Sequence, residues 1–352
     1  MAQKLSGGKL YLFVLLLSLT ITFLFIISCE DSPNGPEEVY GSRDYEWVVD
    51  TIDPGESYFI YGFNLWGAEP NDVWFIGGAT TRKDPIWHWD GTKWKNVVLD
   101  EFITGAGIWG TSKNNVWMGT TNSSIWHYDG AKWQKFGTYL LDGYDQTVIQ
   151  KIHGISETQI YGVGYANRYD GGGFTRVLMK YDGIDWRFIN IGELKESFVD
   201  VVVDGKSGDV LIDVSNRFTP GEPRRIYVYK ADSLKEIFAG DVPISLGVIN
   251  TSTYVVIDQE IYKYSDESLK LFKDFKGTEY GGRIWGRNES DFFVVNTGLN
   301  LGHFNGKDLK TLYSLNAVIG QAVIFKKEVF VFGTGFSNYP QDYILRGKLK
   351  TK

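Results

Sequence analysis

The sequence predicts an all-β fold made of seven four-stranded units, and three observations support this. One phrase recurs about every 43 residues, as from Trp66 to Trp109, and reads roughly I-W-G, N-D-V-W, I-W-H-Y-D-G and K-W. Each copy holds four short alternating apolar runs bounded by Gly, Asn, Asp or Ser, the pattern of a four-stranded antiparallel sheet. All 12 tryptophans occupy positions of this phrase. Together these features predict a seven-bladed β-propeller.

The second segment of the phrase sets the register of the blades. It stands at 72–74, 115–117, 159–161, 209–211, 254–255, 291–293 and 328–330. Asp-Gly or Asn-Gly follows the third strand at 90–91, 129–130, 182–183 and 305–306. These dipeptides predict two-residue turns in which both central residues have positive φ. Blades 4 and 5 depart from the phrase at 230–234 and 265–269 but keep its spacing.

The two ends of the repeat predict how the ring closes. The seventh copy ends near Leu349 without a fourth strand, whereas Tyr45-Glu46-Trp47-Val48-Val49 precedes the first copy without a blade of its own. We therefore expect the N-terminal strand to complete the last blade. Such closure leaves no open sheet edge between the first and last blades.

The N-terminus predicts export and lipidation. Lys4 and Lys9 precede an apolar run of 18 residues, 10–27, which ends in I-I-S-C at Cys29, the single cysteine of the chain. This ending resembles the lipobox of bacterial lipoproteins, and the resemblance implies a signal peptide over 1–28 and acyl chains on Cys29 that bind the membrane. The alternative is an uncleaved anchor, because 18 apolar residues just reach the length of a spanning helix.

The segment after the cysteine predicts a tether and an address. Residues 29–44 are polar and contain proline, so we expect a flexible tether before a propeller at 45–352. Acidic residues directly after Cys29 resemble the export signals of some surface lipoproteins of Gram-negative bacteria. The expected location is the bacterial cell envelope, with the lipid in the outer membrane and the protein facing the periplasm or the surface.

Charge and cysteine content exclude some partners. The formal charge is −7, and loss of Lys4 and Lys9 with residues 1–28 makes it −9. An acidic body argues against nucleic acid as a partner. One cysteine excludes a disulfide within the chain. We expect a monomer without a metal or cofactor.

The histidines and the repeated aspartates have structural interpretations. His88, His127 and His303 share one position of the third strand, and His153 replaces the tryptophan of I-W-G, so equivalent histidines lie on separate blades and do not converge on one metal ion. The aspartates at 72, 90, 129, 182, 209 and 291 could suggest a glycosidase, which commonly uses two carboxylates about 5 to 9 Å apart. Their positions beside glycine or at strand entries are typical of turn residues instead.

The complete phrase, over residues 45 to 350, resembles a loosely defined group of secreted bacterial propeller proteins with I-W-G and N-D-V-W-x-V-G repeats. It lacks the G-H and W-D pairing of WD40 repeats, the double glycine of kelch repeats and the sialidase box. The resemblance implies the fold and leaves the activity open.

Uneven loop lengths predict a binding face. Loops that join strands two to three, or one blade to the next, share one face of a propeller, and the long insertions at 78–85, 138–146, 165–176, 216–225 and 334–342 all belong to this set. Aromatic and arginine side chains on loops of a rigid scaffold are typical of binding surfaces. The candidate binding residues are Tyr139, Tyr144, Arg168, Tyr169, Phe174, Arg176, Arg217, Phe218, Phe336 and Tyr339.

Two functions follow from these features. The first is a lipid-anchored propeller of the cell envelope that binds a protein or glycan partner through the long-loop face without catalysis. The alternative is a carbohydrate-active enzyme of glycosidase or lyase type, which requires two or more carboxylates converging at the mouth of the central channel.

Overall fold

Every regular element in the described part of the computed structural model is a β-strand. The structure describes residues 41–52, 60–80, 85–192, 197–215, 223–296, 300–315, 317–335 and 342–350, all within a compact unit, Tyr40–Lys352. The predicted leader and Cys29 lie outside the described residues. No helix with the length and apolar character needed to cross a bilayer occurs in the described ranges.

The strands of each blade follow one another in the chain. Blade 1 contains β2 (Ile60–Glu69), β3 (Asp72–Ala79), β4 (Ile86–Trp89) and β5 (Trp94–Asn96), and blade 2 contains β6 (Gly105–Ser112), β7 (Asn115–Thr120), β8 (Ser124–Tyr128) and β9 (Trp133–Thr138). Blade 3 contains β10 (Gln146–Ser156), β11 (Gln159–Asn167), β12 (Phe174–Tyr181) and β13 (Trp186–Phe188), and blade 4 contains β14 (Ser197–Val203), β15 (Val210–Ser215), β16 (Arg224–Lys230) and β17 (Ser233–Gly240).

Three further blades complete the series. Blade 5 contains β18 (Ile244–Ile249), β19 (Ser252–Ile257), β20 (Glu260–Ser265) and β21 (Ser268–Asp274), and blade 6 contains β22 (Tyr280–Asn288), β23 (Asp291–Asn296), β24 (Asn300–Phe304) and β25 (Leu309–Ser314). Blade 7 contains β26 (Ala317–Ile324), β27 (Glu328–Gly335), β28 (Asp342–Leu349) and the N-terminal strand β1 (Tyr45–Thr51).

The first strands of the blades form a closed inner ring. Each contacts the first strand of the next blade, and β2 of blade 1 also contacts β26 of blade 7. Between blades 5 and 6 this contact becomes a short parallel pairing of β18 with β22. Within every blade, consecutive strands pair antiparallel. The fold is therefore the β-propeller that the sequence predicts, with seven four-stranded units in the described part of the chain.

Closure by the N-terminal strand is confirmed. β1 pairs antiparallel with β28 from Tyr45↔Leu349 to Thr51↔Tyr343. Asp50 accepts hydrogen bonds from Arg346 of β28 and from the indole of Trp94 in blade 1, at 3.0 Å for the indole. One carboxylate thus links β1 to both of the blades that meet at the closure.

The last residues of the predicted tether are attached to blade 6 and to the end of blade 7. The Gly41 amide donates to the Asn305 carbonyl at 3.0 Å, and Arg43 donates to the Asp308 carboxylate at 2.6 Å. Asp44 forms an ion pair with Lys350. The prediction of a tether without packed structure is therefore wrong for residues 41–44, because these contacts fix them against the propeller.

The hydrophobic core lies between neighbouring blades. One cluster joins Trp74 and Ile76 of blade 1 to Val116 and Met118 of blade 2, and similar clusters fill the other interfaces. Six tryptophans are buried and pack in these interfaces: Trp74, Trp89, Trp117, Trp126, Trp133 and Trp186. Burial of an indole removes about 150 to 250 Å² from water, so these side chains account for much of the stability of the array.

The prediction of two-residue turns at the Asp-Gly dipeptides is wrong. The Asp-Gly turns contain four residues, as at 90–93, where Trp89 pairs with Trp94 and Gly91 has φ of 91°. Asp90 itself caps the turn, since its Oδ1 accepts hydrogen bonds from the amides of Thr92 and Lys93, each at 2.9 Å. Two-residue turns with positive φ at both central residues occur in blades 4 and 5 instead, at 231–232 and 266–267. Both of these blades lack the dipeptide.

Candidate functional site

The three histidines of the third strands each bind the residue that opens the second strand of the same blade. His88 Nε2 lies 2.5 Å from Asp72 Oδ1, and His303 Nε2 lies 2.7 Å from Asp291 Oδ1. His127 makes the same contact with Asn115 at 2.8 Å. Each ring also contacts the aromatic side chain of the second strand, stacked in blade 1 and tilted in blades 2 and 6. These contacts join the second and third strands within a blade, and we call each of them a histidine lock. Among the described residues, no group of three or more His, Cys, Asp or Glu side chains is arranged to hold a metal ion.

Two of the long loops are joined into one surface beside blade 3. We call residues 139–145 and 168–173 the loop platform. The Asp145 amide donates to the Asn167 carbonyl at 3.0 Å, and the Tyr169 amide donates to the Asp145 carboxylate at 2.8 Å. Arg168 Nε donates to the Gly143 carbonyl at 2.6 Å, and its guanidinium lies over the Tyr144 ring, 5.2 Å from the centroid. The two loops therefore hold each other in one conformation.

The candidate aromatics of the platform differ in exposure. Tyr139 and Tyr144 pack on the core between blades 2 and 3. The Tyr139 hydroxyl donates to Asp185 at 2.6 Å, and burial together with this carboxylate holds the pKa of Tyr139 above its usual value. Tyr169 is 72% exposed, whereas Phe174 is only partly exposed and begins strand β12. Tyr169 is therefore the aromatic side chain that the platform presents to solvent.

Arg176 is not a surface residue. It is only 3% exposed, and its guanidinium lies over the rings of Phe198 and Tyr227 at 4.9 and 5.4 Å. Its assignment to the binding surface is wrong because the alternation of β12 directs it into the interface with blade 4. The candidates Arg217, Phe218, Phe336 and Tyr339 lie outside the described residues.

A cavity of about 340 Å³ occupies the central channel and is lined by all seven first strands. It includes the tryptophans of I-W-G, namely Trp66, Trp109 and Trp285, and it extends to Asn250 in the turn after β18. These three indoles are partly exposed, so they differ from the buried tryptophans of the blade interfaces. This volume is in the lower part of the range for small-molecule sites.

One layer of the channel is polar. Two residues before the I-W-G tryptophan position, the seven blades carry small or polar side chains, and we call this set the channel ring: Asn64, Gly107, Lys151, Asp200, Ser245, Arg283 and Gln321. A register shift directly precedes this position in five blades and includes it in blade 6. Bulges re-aim side chains and are common beside functional sites. Five members of the ring line the cavity.

Gly107 shows how closely the ring is packed. A Cβ atom at this position would lie 2.9 Å from the backbone of Lys151 in the next blade. Blade 2 therefore contributes no side chain to the ring, because the strand of Lys151 occupies that space. Lys151 itself borders the cavity.

The channel ring contains two basic side chains and one acidic side chain. Arg283 and Asp200 form an ion pair of 3.6 Å between blades 6 and 4, with side chains 35% and 16% exposed. Lys151 makes no ion pair with a described carboxylate. Burial lowers the pKa of Lys151 to about 8, with Arg283 acting in the same direction and Asp200 opposing both. Lys151 therefore remains largely protonated at pH 7 in a site that does not neutralise it.

The neighbouring titratable groups do not supply the missing negative charge. Burial lowers the pKa of His153 to about 4, and its Nδ1 accepts a hydrogen bond from the Val203 amide at 3.0 Å. Asp213 is paired with Asp200 across β14 and β15, but both of its oxygens accept hydrogen bonds from Arg224, at 3.1 and 2.8 Å. Burial raises the pKa of Asp213 to about 6.

The carboxylates of the channel do not form the pair that a glycosidase requires. Among the described residues that line the cavity, Asp200 is the one carboxylate. Asp213 is buried behind it and bound to Arg224. The described channel therefore gives no support to the carbohydrate-active alternative.

The sequence interpretation did not identify the channel ring. Its signal is visible when the seven copies are aligned on the I-W-G position, because the residue two places earlier is never a large apolar one. Contacts between blades decide which members of the ring lack a partner, and these contacts are not visible in the sequence.

Comparison with known proteins shows the fold. No family model and no curated protein matches the chain. The solved structure described as YCF48 bound to D1 peptide is similar with a TM-score of 0.60 at 11% identity, covering 90% of this chain and 100% of that one. YCF48 from Cyanidioschyzon merolae gives 0.56 at 12% identity, with 85% and 98% covered. The WD40 β-propeller domain of Doa1 gives 0.55 at 13% identity, with 87% and 97% covered. The chain is thus a β-propeller that shares the architecture of these proteins at low sequence identity.

Proposed function

We propose that this protein is a lipid-anchored propeller of the bacterial cell envelope that binds a protein partner through the loop platform. The observation that carries this proposal is the exposed Tyr169 on two loops that hold each other by backbone and side-chain hydrogen bonds. A rigid aromatic side chain costs little conformational entropy on binding, which is why tyrosine is common at binding surfaces.

The structural neighbours favour a polypeptide as the partner. One of them is described as bound to a peptide, so a propeller of this architecture is able to present a peptide-binding surface. The platform offers groups that suit a polypeptide, namely the exposed Tyr169 ring, the Asp145 carboxylate and the Arg168 guanidinium. A glycan partner through the same aromatic surface is the second possibility.

The envelope location depends on Cys29. A lipidated cysteine would attach the propeller to a membrane, and two or more acyl chains are required for a stable anchor. Mass spectrometry of the protein from its native membrane tests this proposal. We expect the N-terminal peptide to begin at Cys29 and to carry lipid, and Cys29→Ser to release the protein from the membrane fraction. An unmodified Cys29 would refute the anchor without affecting the platform.

Site-specific photo-cross-linking in the native cells tests the platform. Benzoylphenylalanine in place of Tyr169 should form a covalent adduct with one envelope protein. The matched control is the same replacement of Leu271 on the outer strand of blade 5, which is 55% exposed. Identical adducts from both positions, or none from position 169, would contradict the proposal. Binding of a glycan array that is lost in Tyr169→Ala would replace the protein partner by a glycan.

A further inference from the structure

We propose that the channel ring binds the carboxylate of a monoanionic ligand between Lys151 and Arg283. This site is separate from the loop platform and does not depend on its function. It lies inside the cavity of about 340 Å³, where ligand groups would meet residues from several blades at once.

Charge balance defines the ligand as a monoanion. Lys151 and Arg283 contribute two positive charges, Asp200 contributes one negative charge, and the Asp213–Arg224 pair behind the ring is neutral. His153 is uncharged at pH 7 because burial lowers its pKa to about 4. One negative charge would complete the balance. A phosphate dianion would exceed it and would face Asp200.

The hydrogen-bond donors of the ring suit a carboxylate. Gln321 Oε1 accepts from the Trp285 indole at 3.0 Å, which leaves the amide NH₂ of Gln321 as a donor beside the cavity. The planar guanidinium of Arg283 matches the geometry of a carboxylate, and an ammonium adds a point charge. Lys151, Arg283 and Gln321 together supply donors from blades 3, 6 and 7.

The cavity walls indicate that the ligand has an apolar body. The partly exposed indoles of Trp66, Trp109 and Trp285 line the same cavity as the ring residues. A small fatty or aryl acid fits this chemistry, and so does the last residue of a polypeptide with a free C-terminus. Both present a single carboxylate on an apolar group.

Titration of Lys151 in the full-length protein tests the site. Reductive methylation with ¹³C-formaldehyde labels the lysines, and Lys151→Met identifies the resonance of Lys151 by its disappearance. We expect this resonance to titrate near pH 8. Bound carboxylate should raise its pKa by about one unit or more, because a nearby opposite charge favours the ammonium.

Four probes distinguish the ligand classes. Hexanoate represents a small acid, N-acetylglycylleucine represents a polypeptide C-terminus, the amide of that peptide removes the carboxylate, and chloride is a simple anion. We expect one or both acids to move the Lys151 resonance, and the amide and chloride to leave it in place. Movement by hexanoate alone identifies a small acid, and movement by the peptide acid identifies a chain terminus. No movement with either acid, or an equal response to chloride, would overturn the proposal.

A second variant keeps the test independent of Lys151. Arg283→Gln should weaken binding of the responding acid at least about tenfold, since a charge-assisted hydrogen bond is lost. Lys310→Met, at an exposed lysine of blade 6, is the matched control and should leave affinity unchanged. Equal affinities of Arg283→Gln and wild type would refute the role of Arg283 and with it the proposed site.

Discussion

The third-strand histidines and Lys151 are both titratable groups enclosed by the propeller, but they are satisfied in different ways. His303 has no solvent exposure and binds Asp291 at 2.7 Å, a pairing that recurs in blades 1 and 2. Lys151 is the one lysine at a position where the other blades carry asparagine, glycine, aspartate, serine, arginine and glutamine, and no described carboxylate pairs with it. The comparison teaches that polar groups at repeated positions are matched within the repeat. Lys151 occurs in a single blade without such a partner, which leaves its ammonium available to a ligand.

The paired groups extend to β1, the strand that closes the propeller. We expect the largest effect on stability from changes to this strand. Tyr45 of β1 accepts a hydrogen bond from Arg287, which also binds Asp291, the partner of His303. Deletion of residues 41–52 removes this network, the β1–β28 ladder and Asp50 together. We expect the melting temperature to fall by roughly 10 °C or more, measured by calorimetry.

A substitution on the same strand provides the control for this deletion. Val48 of β1 is exposed, and Val48→Ala should change the melting temperature little. A deletion variant that melts like the wild type would show that the last blade is stable with three strands. In that case the hydrogen bonds among Tyr45, Arg287 and Asp291 would not be required for the stability of the fold.

The histidine locks should make a smaller contribution to stability. His303→Ala leaves Asp291 with one partner fewer and opens a cavity, so we expect a loss of about 2 to 4 kcal/mol in the free energy of unfolding. His88→Ala is the matched comparison, because His88 makes the same lock with a partly exposed side chain and should lose about half as much. Urea unfolding measures both variants. Equal and negligible losses would mean that the locks are incidental.

Replacement of Lys151 should stabilise the fold, whereas replacement of the histidines should destabilise it. Its pKa is about 8 in the fold and about 10.4 in an unfolded chain, so the unfolded state binds more protons between these values and stability should rise with pH across this window. Lys151→Met should remove this rise. At pH 7 it should be more stable than the wild type by a few kcal/mol, roughly 2 to 3.

Urea unfolding at pH 7 and pH 10 compares Lys151→Met with the wild type. Lys310→Met serves as the control because its lysine is exposed and pairs with Asp308 at the surface. If Lys151→Met is less stable than the wild type at pH 7, the ammonium has a stabilising partner. Lys151 would then belong with the paired groups, and the contrast with the histidines would disappear.

Much of the fold was predictable because the repeat encodes it locally. The alternation in each strand, the recurring tryptophans and the isolated strand at Tyr45 predicted the blade order and the closure. The strand order in the sheets confirms the first, and the pairing of β1 with β28 confirms the second. The turns were not predictable from the Asp-Gly dipeptide alone. Asp90 accepts two backbone amides, which favours a four-residue turn over the two-residue one.

The candidate site was less predictable because exposure depends on contacts between blades. Arg176 and Tyr169 are both near one insertion, yet Arg176 packs under Phe198 of the next blade and Tyr169 reaches solvent. Residue type and loop length do not separate these two outcomes. Lys151 was missed for the complementary reason, since it lies in a strand, where the sequence suggests a structural role.

The smallest effect on stability is expected at the loop platform, and this makes Tyr169 the sharpest test of the comparison. The Tyr169 backbone is held by Asp145, whereas its ring is mostly in solvent, so Tyr169→Ala should change the free energy of unfolding by less than about 0.5 kcal/mol. Asp145→Ala should cost more, because the Tyr169 amide loses its acceptor and one of the hydrogen bonds that join the two loops is lost. A partner that contacts the ring would lose affinity in Tyr169→Ala despite an unchanged melt. If affinity falls only in Asp145→Ala, the partner recognises the loop conformation, and the exposed ring is not its contact.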